Sequence, residues 1–142
     1  MEWKKAISAA IEYIENHLTE DISAEEIAGQ VNISPFYFQK GFSLLCGYTV
    51  SEYIRSRRLA LAAGELLNGA KVVDTAIKYC YDSPDSFAKA FYRFHGVTPS
   101  MAQKNSAMLK GFAPLKITLT LKGGKTMDYR IVKKRASRFW EL

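Results

Sequence analysis

Apolar residues at the start of the chain recur at helical spacing. Trp3, Ile7, Ile11, Ile14 and Leu18 form one stripe, with Lys4, Lys5, Glu12 and Glu15 off it, which predicts an amphipathic helix. Ser23-Ala-Glu-Glu26 is a capping-box pattern, in which serine and glutamate satisfy each other's orphan amides. It predicts a short helix from Ala24 to Gln30 with Ile27, Ala28 and Val31 inward. Asn32 tolerates a left-handed turn. Ser34-Pro35 then supplies an N-cap and a first-turn proline for a third helix, which reaches Cys46 and stops at Gly47. A second capping box, Thr49-Val-Ser-Glu52, opens a long helix to Leu67, ended by Asn68-Gly69. Shorter helices follow over residues 71–79, 84–95 and 99–104, the last two opened by Ser83-Pro84 and Thr98-Pro99. After residue 106 the period changes to two. Leu115, Ile117, Leu119 and Leu121 alternate with polar residues, as do Met127, Tyr129 and Ile131 beyond Gly123-Gly124, which predicts a β-hairpin.

The helical part repeats itself. Ser34-Pro-x-x-Phe38-x-Lys40-x-Phe42 returns as Ser83-Pro-x-x-Phe87-x-Lys89-x-Phe91, and Gly47, Thr49 and Ser51 return as Gly96, Thr98 and Ser100. Upstream, Ala28 matches Ala76 at an offset one shorter, so the second turn is one residue longer. A short helix, a turn and a capped second helix, twice over, make two helix-turn-helix units. Phenylalanines four apart mark the buried face of each second helix. That leaves Phe36, Tyr37, Gln39, Lys40 and Ser43 outward on the first, and Asp85, Ser86, Ala88, Lys89 and Tyr92 outward on the second. The joining helix is roughly 25 Å long at about 1.5 Å per residue. One chain is therefore expected to address two successive major grooves, about 34 Å apart on one face of the duplex. The expected fold class is mainly α, a seven-helix bundle of two helix-turn-helix subdomains joined by a long helix, plus a C-terminal β-hairpin. The expected domains are a DNA-binding domain over residues 1–105, a linker over 106–114 and a partial second domain over 115–142.

Composition narrows the chemistry. The chain has 142 residues and a formal net charge of +6. The charge is uneven: residues 1–105 carry 11 basic and 12 acidic side chains, while residues 106–142 carry nine basic residues against Asp128 and Glu141. Nucleic-acid binding by the helical part must therefore rest on local clustering, as in Lys40, Arg55, Arg57 and Arg58 against Glu52. Two cysteines, Cys46 and Cys80, and two histidines, His17 and His95, are too few for a disulfide framework or a zinc site. No metal and no cofactor is expected. No nucleophile elbow, zincin motif or Gly-rich phosphate loop occurs, so no enzyme is expected. No apolar run is long enough to span a bilayer and the N-terminus lacks a signal-peptide pattern, so cytoplasmic localisation without membrane contact is expected.

The residues also resemble a known family. The doubled helix-turn-helix, Tyr53-Ile-Arg-x-Arg-Arg-Leu59 in the joining helix, and Tyr81-Asp-Ser-Pro-Asp-Ser-Phe87…Phe91…Phe94-His-Gly-Val-Thr-Pro99 are similar to the bacterial AraC/XylS-type transcription regulators over about residues 5–105. The stretch Ile117-Thr-Leu-Thr-Leu-Lys-Gly-Gly-Lys-Thr-Met-Asp-Tyr-Arg-Ile131 is similar to the entry into a GyrI-like effector-binding domain, of which this chain would hold only the first strands. The resemblance implies a transcription regulator that binds a bipartite site on double-stranded DNA. RNA polymerase is an implied partner, and a small-molecule effector only where the full effector domain exists. It puts base contacts on Phe36, Gln39 and Lys40 in the first unit, and on Asp85, Ser86 and Lys89 in the second. Ser34, Tyr37, Arg55 and Ser83 complete the expected DNA-binding set. Where the family has a turn glycine, this chain has Asn32 and Cys80; where it has a large aliphatic, this chain has Thr75. Cysteine at a left-handed turn position is expected to be strained, and Thr75 is expected to loosen the second core. A ligand-sensing or interaction module, completed by the effector domain or a partner chain, is the alternative reading.

Overall fold

The computed structural model describes residues 3–104, 109–122 and 126–133, with side chains described as far as Leu115. Seven helices, α1 (Trp3–Asn16), α2 (Ala24–Gln30), α3 (Pro35–Cys46), α4 (Val50–Leu67), α5 (Val72–Lys78), α6 (Pro84–His95) and α7 (Pro99–Lys104), precede β1 (Leu115–Lys122) and β2 (Thr126–Lys133). The strands pair antiparallel, with Leu115 opposite Lys133 and Ile117 opposite Ile131. The expected Gly123-Gly124 turn and the basic run from Lys134 onward, with Arg138, lie outside the described residues.

Local chemistry sets the helix ends. Ser34 Oγ accepts from Tyr37 N–H, and Ser83 Oγ accepts from Ser86 N–H at 3.1 Å while Ser83 N–H donates to Ser86 Oγ at 3.3 Å. Serine thus closes a full capping box where glutamate usually does. The Thr49 box is also complete, Thr49 N–H donating to Glu52 Oε1 at 2.8 Å and Glu52 N–H to Thr49 Oγ1 at 3.0 Å. At Ser23, by contrast, the hydroxyl caps Glu26 N–H and the return bond is not formed, because the exposed Glu26 carboxylate stays with solvent. Both turns have one geometry. Ile33 N–H donates to Ala28 O and Tyr81 N–H to Ala76 O, each at 3.0 Å, with Asn32 at φ 57° and Cys80 at φ 68°. The extra residue of the second turn is Asp82, inserted between that bond and the Ser83 cap. Gly47 and Gly96 close α3 and α6 at φ 78° and 82°.

The chain divides into two compact units. The first takes in α1, α2, α3, the start of α4 to Ile54, and the chain from Pro114 through β2. Its core is made by Ile7, Ile11, Ile14, Ile27, Phe38, Phe42 and Tyr53. The Tyr53 hydroxyl donates to Glu15 Oε2 at 2.9 Å and accepts from Leu115 N–H, tying α1, α4 and the start of β1. β1 lies beside α1 and β2 beside α3.

The second unit takes in α4 from Arg55, α5, α6, α7, Leu18–Asp21 and residues 109–113. Leu59, Leu66, Ala76, Tyr79, Phe87, Phe91 and Leu109 form its core. Thr75 is buried within it, and its hydroxyl donates to Lys71 O at 2.8 Å, so the polar group is satisfied rather than a defect. Glu65 accepts from Lys78 Nζ at 2.6 Å and from the Tyr79 hydroxyl. Burial opposes ionisation of Glu65, yet these two donors and the Lys78 charge hold its carboxyl below the usual range, and the same pairing with burial raises the Tyr79 phenol.

The described part of the expected linker, residues 109–114, is packed. Leu109 is buried, Arg57 donates to Phe112 O, and Lys110 N–H donates to His95 Nδ1 at 2.9 Å. Backbone groups make these bonds, so no apolar periodicity announces them. His95 Nε2 faces Leu59 O at 2.9 Å. Nδ1 must accept and Nε2 must donate, so the ring is neutral with its proton on Nε2. Burial, followed by the nearby Lys110 charge, depresses His95 from 6.5 to about 4, against the pull of Leu59 O.

Two outcomes follow from this packing. Below pH 6.5 the unfolded chain takes up a proton at His95 that the folded chain refuses until pH falls to about 4. His95 therefore stabilises fully above pH 6.5, and up to roughly 3 kcal/mol is lost across that window. Urea titrations against pH read this as a slope that flattens in His95→Gln. At the second turn, Cys80→Gly relieves a left-handed backbone and raises stability by about 0.5–1 kcal/mol, after allowance for glycine's unfolded entropy. Asn32→Gly gives a smaller gain in the same assay.

Candidate nucleic-acid interface

Burial of one face exposes the other. In α3, Phe38, Phe42 and Cys46 point inward, and Ser34, Phe36, Tyr37, Gln39 and Lys40 are all exposed. Phe36 and Tyr37 are 67% and 63% exposed, large values for aromatic rings in a folded unit. The two rings meet edge to face at 5.6 Å, and Lys40 Nζ stands 5.9 Å from the Phe36 centroid. An aromatic pair, an amide at Gln39 and a cation at Lys40 thus share the open side of one helix. Glutamine offers a donor and an acceptor to a base edge, and lysine offers a point charge to phosphate or guanine.

The second helix has the same frame but a different surface. In α6, Phe87, Phe91 and His95 point inward, while Asp85 and Lys89 are exposed. Ser83 and Ser86 are half-buried, their hydroxyls engaged with one another at 3.2 Å and with the backbone of the cap. Lys89 Nζ lies 3.2 Å from Asp85 Oδ2, one helical turn away. Both groups are open to water, so this pair adds little stability. It does cancel the charge at the position that repeats Lys40. Beside Lys89 is a hollow of about 430 Å³ lined by Ala88, Lys89, Tyr92, Arg93 and Thr98. Arg93 was absent from the expected contacts; its spacing of four from Lys89 was the available signal.

The arginines of the joining helix divide by role. Arg55 is exposed. Arg57 is buried on Phe112 O, and Arg58 donates through Nε to Leu18 O at 2.8 Å and through Nη2 to Glu20 O at 2.6 Å. Two of the four cations counted toward the basic cluster are therefore structural. Within each unit the expected residues gather on one helix, α3 or α6, and Arg55 lies on α4.

A helix-turn-helix domain family matches residues 27–105, more than half of the chain. The transcriptional activator AarP of Providencia stuartii is 38% identical over 96 residues, which is 67% of this chain and 71% of AarP. The chain belongs to the AraC/XylS-type helix-turn-helix regulators. The uncharacterized regulator YbfP of Bacillus subtilis (strain 168) is 37% identical over 100 residues, 70% of this chain, and the match spans about a third of YbfP (34%). Among solved structures, the DNA-binding domain of AdpA in complex with a target DNA superposes with a TM-score of 0.58 at 23% identity, over 72% of this chain and 89% of that one. That likeness shows the AraC-type fold, with its two helix-turn-helix units.

The Lys89–Asp85 pair generates a test. Asp85→Asn leaves Lys89 unneutralised, so affinity for duplex of arbitrary sequence rises several-fold at low salt. The slope of log K against log salt steepens by about one. Fluorescence anisotropy at four salt concentrations measures both.

Proposed function

We propose that this chain regulates transcription by reading a bipartite double-stranded DNA site, α3 entering one major groove and α6 the next. The observation that carries the reading is the duplicated geometry: two turns of one conformation, each followed by a serine-capped, proline-started helix whose Phe pair is buried and whose outward lysine falls at the same position. Gln39, Lys40 and Phe36 read base edges in the first half-site, with Tyr37 beside them. Asp85, Ser86 and Lys89 face the second. The Ser34 and Ser83 caps bring helix N-termini toward phosphate, and Arg55 grips the backbone. The Ser83–Ser86 box and the Asp85–Lys89 pair favour a division of labour in which α3 discriminates and α6 holds. Cytoplasmic residence and contact with RNA polymerase accord with a regulator of this family.

A second reading rests on the hairpin. Two strands of eight residues, with no third strand among the described residues, leave two open edges. Those edges suit the start of a GyrI-like effector-binding domain, through which a small molecule would tune DNA binding.

Selection from a random duplex pool tests the first reading. Enrichment of two half-motifs about 10 bp apart is the expected result. Gln39→Ala then lowers affinity for the selected site about tenfold and leaves affinity for scrambled duplex unchanged. Equal loss on every sequence would remove base readout by Gln39, and no enrichment at all would remove the specific-regulator reading.

A further inference from the structure

The first unit holds a cavity that borders the proposed DNA-reading face and shares Tyr37 and Lys40 with it. Between the start of α1 and the flank of α3 is a hollow of about 500 Å³, lined by Trp3, Tyr37, Lys40, Gly41, Leu44 and Leu45. Its size falls within the range of small-molecule sites. Its walls are an indole, a phenol ring and two leucines, of which Leu44 is 77% exposed. Leu44 thus presents apolar surface to water beside two aromatic rings.

Gly41 explains how the hollow is built. Glycine inside a helix weakens it relative to alanine. A Cβ at position 41 would stand 2.6 Å from Trp3 Cη2 and closer still to Cζ3. The missing side chain is what allows the indole to approach α3 this closely and form one wall. The hollow lies to one side of the helix face that carries Phe36 and Gln39, and Lys40 belongs to both surfaces. Among the described residues, Lys40 is also the single charged residue of the lining. It has no carboxylate within ion-pair reach among the described residues, its ammonium resting near the Phe36 ring.

Walls of two aromatic rings and two leucines favour an aromatic ring system, and one cation with no carboxylate partner among the described residues favours one negative charge. We propose that this hollow binds a planar aromatic monocarboxylate, its rings against Trp3, Tyr37 and Leu44 and its carboxylate on Lys40 Nζ. The ligand competes with DNA for Lys40, a consequence that rests on the DNA-reading proposal above, whereas the binding site itself does not. Occupancy then acts on the first reading helix directly.

The test uses the full chain and 2-naphthoate as probe. In ¹H–¹⁵N spectra without DNA, 2-naphthoate shifts the Trp3 indole signal (assigned with Trp140→Phe) and the Gly41 and Leu44 amides, saturating at about 1 mM or below. Lys40→Met, an exposed change that leaves the fold intact, weakens binding about fivefold to tenfold. The uncharged 2-naphthalenemethanol binds wild type no better than 2-naphthoate binds Lys40→Met. Leu44→Gln weakens both probes. Saturating 2-naphthoate lowers affinity for the selected duplex, and does so less in Lys40→Met. Absent or scattered shifts, equal binding of acid and alcohol, or shifts that track protein concentration instead of probe overturn the site. Localised shifts without loss of DNA affinity overturn the competition. If the chain selects no duplex, the spectra still decide the site, and the DNA-reading proposal fails separately.

Discussion

Two pairs of phenylalanines orient everything this chain presents to a partner. Phe38 and Phe42 in α3, and Phe87 and Phe91 in α6, have no exposed surface, and their rings lie 5.9 and 5.6 Å apart within each pair. Once those faces are buried, the rotation of each helix about its axis is no longer free. Gln39 and Lys40 in one helix, and Asp85 and Lys89 in the other, must then face water. Tyr53 abuts Phe42 at 5.8 Å and Tyr81 abuts Phe87 at 5.3 Å, so each pair is held in turn by an aromatic residue from outside its helix. A reading surface of flexible side chains is thus mounted on a frame whose energetics are apolar, and the frame can be preserved while the surface varies.

Electrostatics follows the same separation. The helical part is nearly neutral in sum, and two of its cations, Arg57 and Arg58, are spent on backbone carbonyls. Long-range attraction to a polyanion is therefore weak over this region, and short-range complementarity at the two helix faces must supply discrimination. The ion pair on α6 reduces the available charge further. Of the two faces, α3 presents the richer chemistry: a bare lysine, an amide and two aromatic rings.

Much of this is legible in the amino-acid sequence. Serine–proline starts, glycine stops and phenylalanines at i and i+4 act within one helix, so their partners lie inside the same short window of sequence. The left-handed turns could be placed for the same reason, since the repeat aligns Asn32 with Cys80. What escaped was every contact between elements far apart in the chain. Arg57 with Phe112, His95 with Leu59 and Lys110, and Trp3 over Gly41 join residues whose spacing has no period. Carbonyl and amide groups make many of those bonds, and every residue type carries them. Gly41 in particular reads as a weak point in a helix until the ring that occupies its missing side chain is seen. The capping serines were legible as caps, yet nothing in the spacing indicated that Ser86 would take the part normally played by glutamate.

The strap formed by residues 109–115 alters how the molecule should be divided. A cut at residue 105, where helical grammar ends, would take away Phe112 O from the buried guanidinium of Arg57, Lys110 N–H from the His95 ring and Leu109 from the core. Each loss leaves a buried polar group or a void, and these are costly defects. A minimal DNA-binding fragment should instead end after Leu115, so that the amide held by the Tyr53 hydroxyl is kept as well.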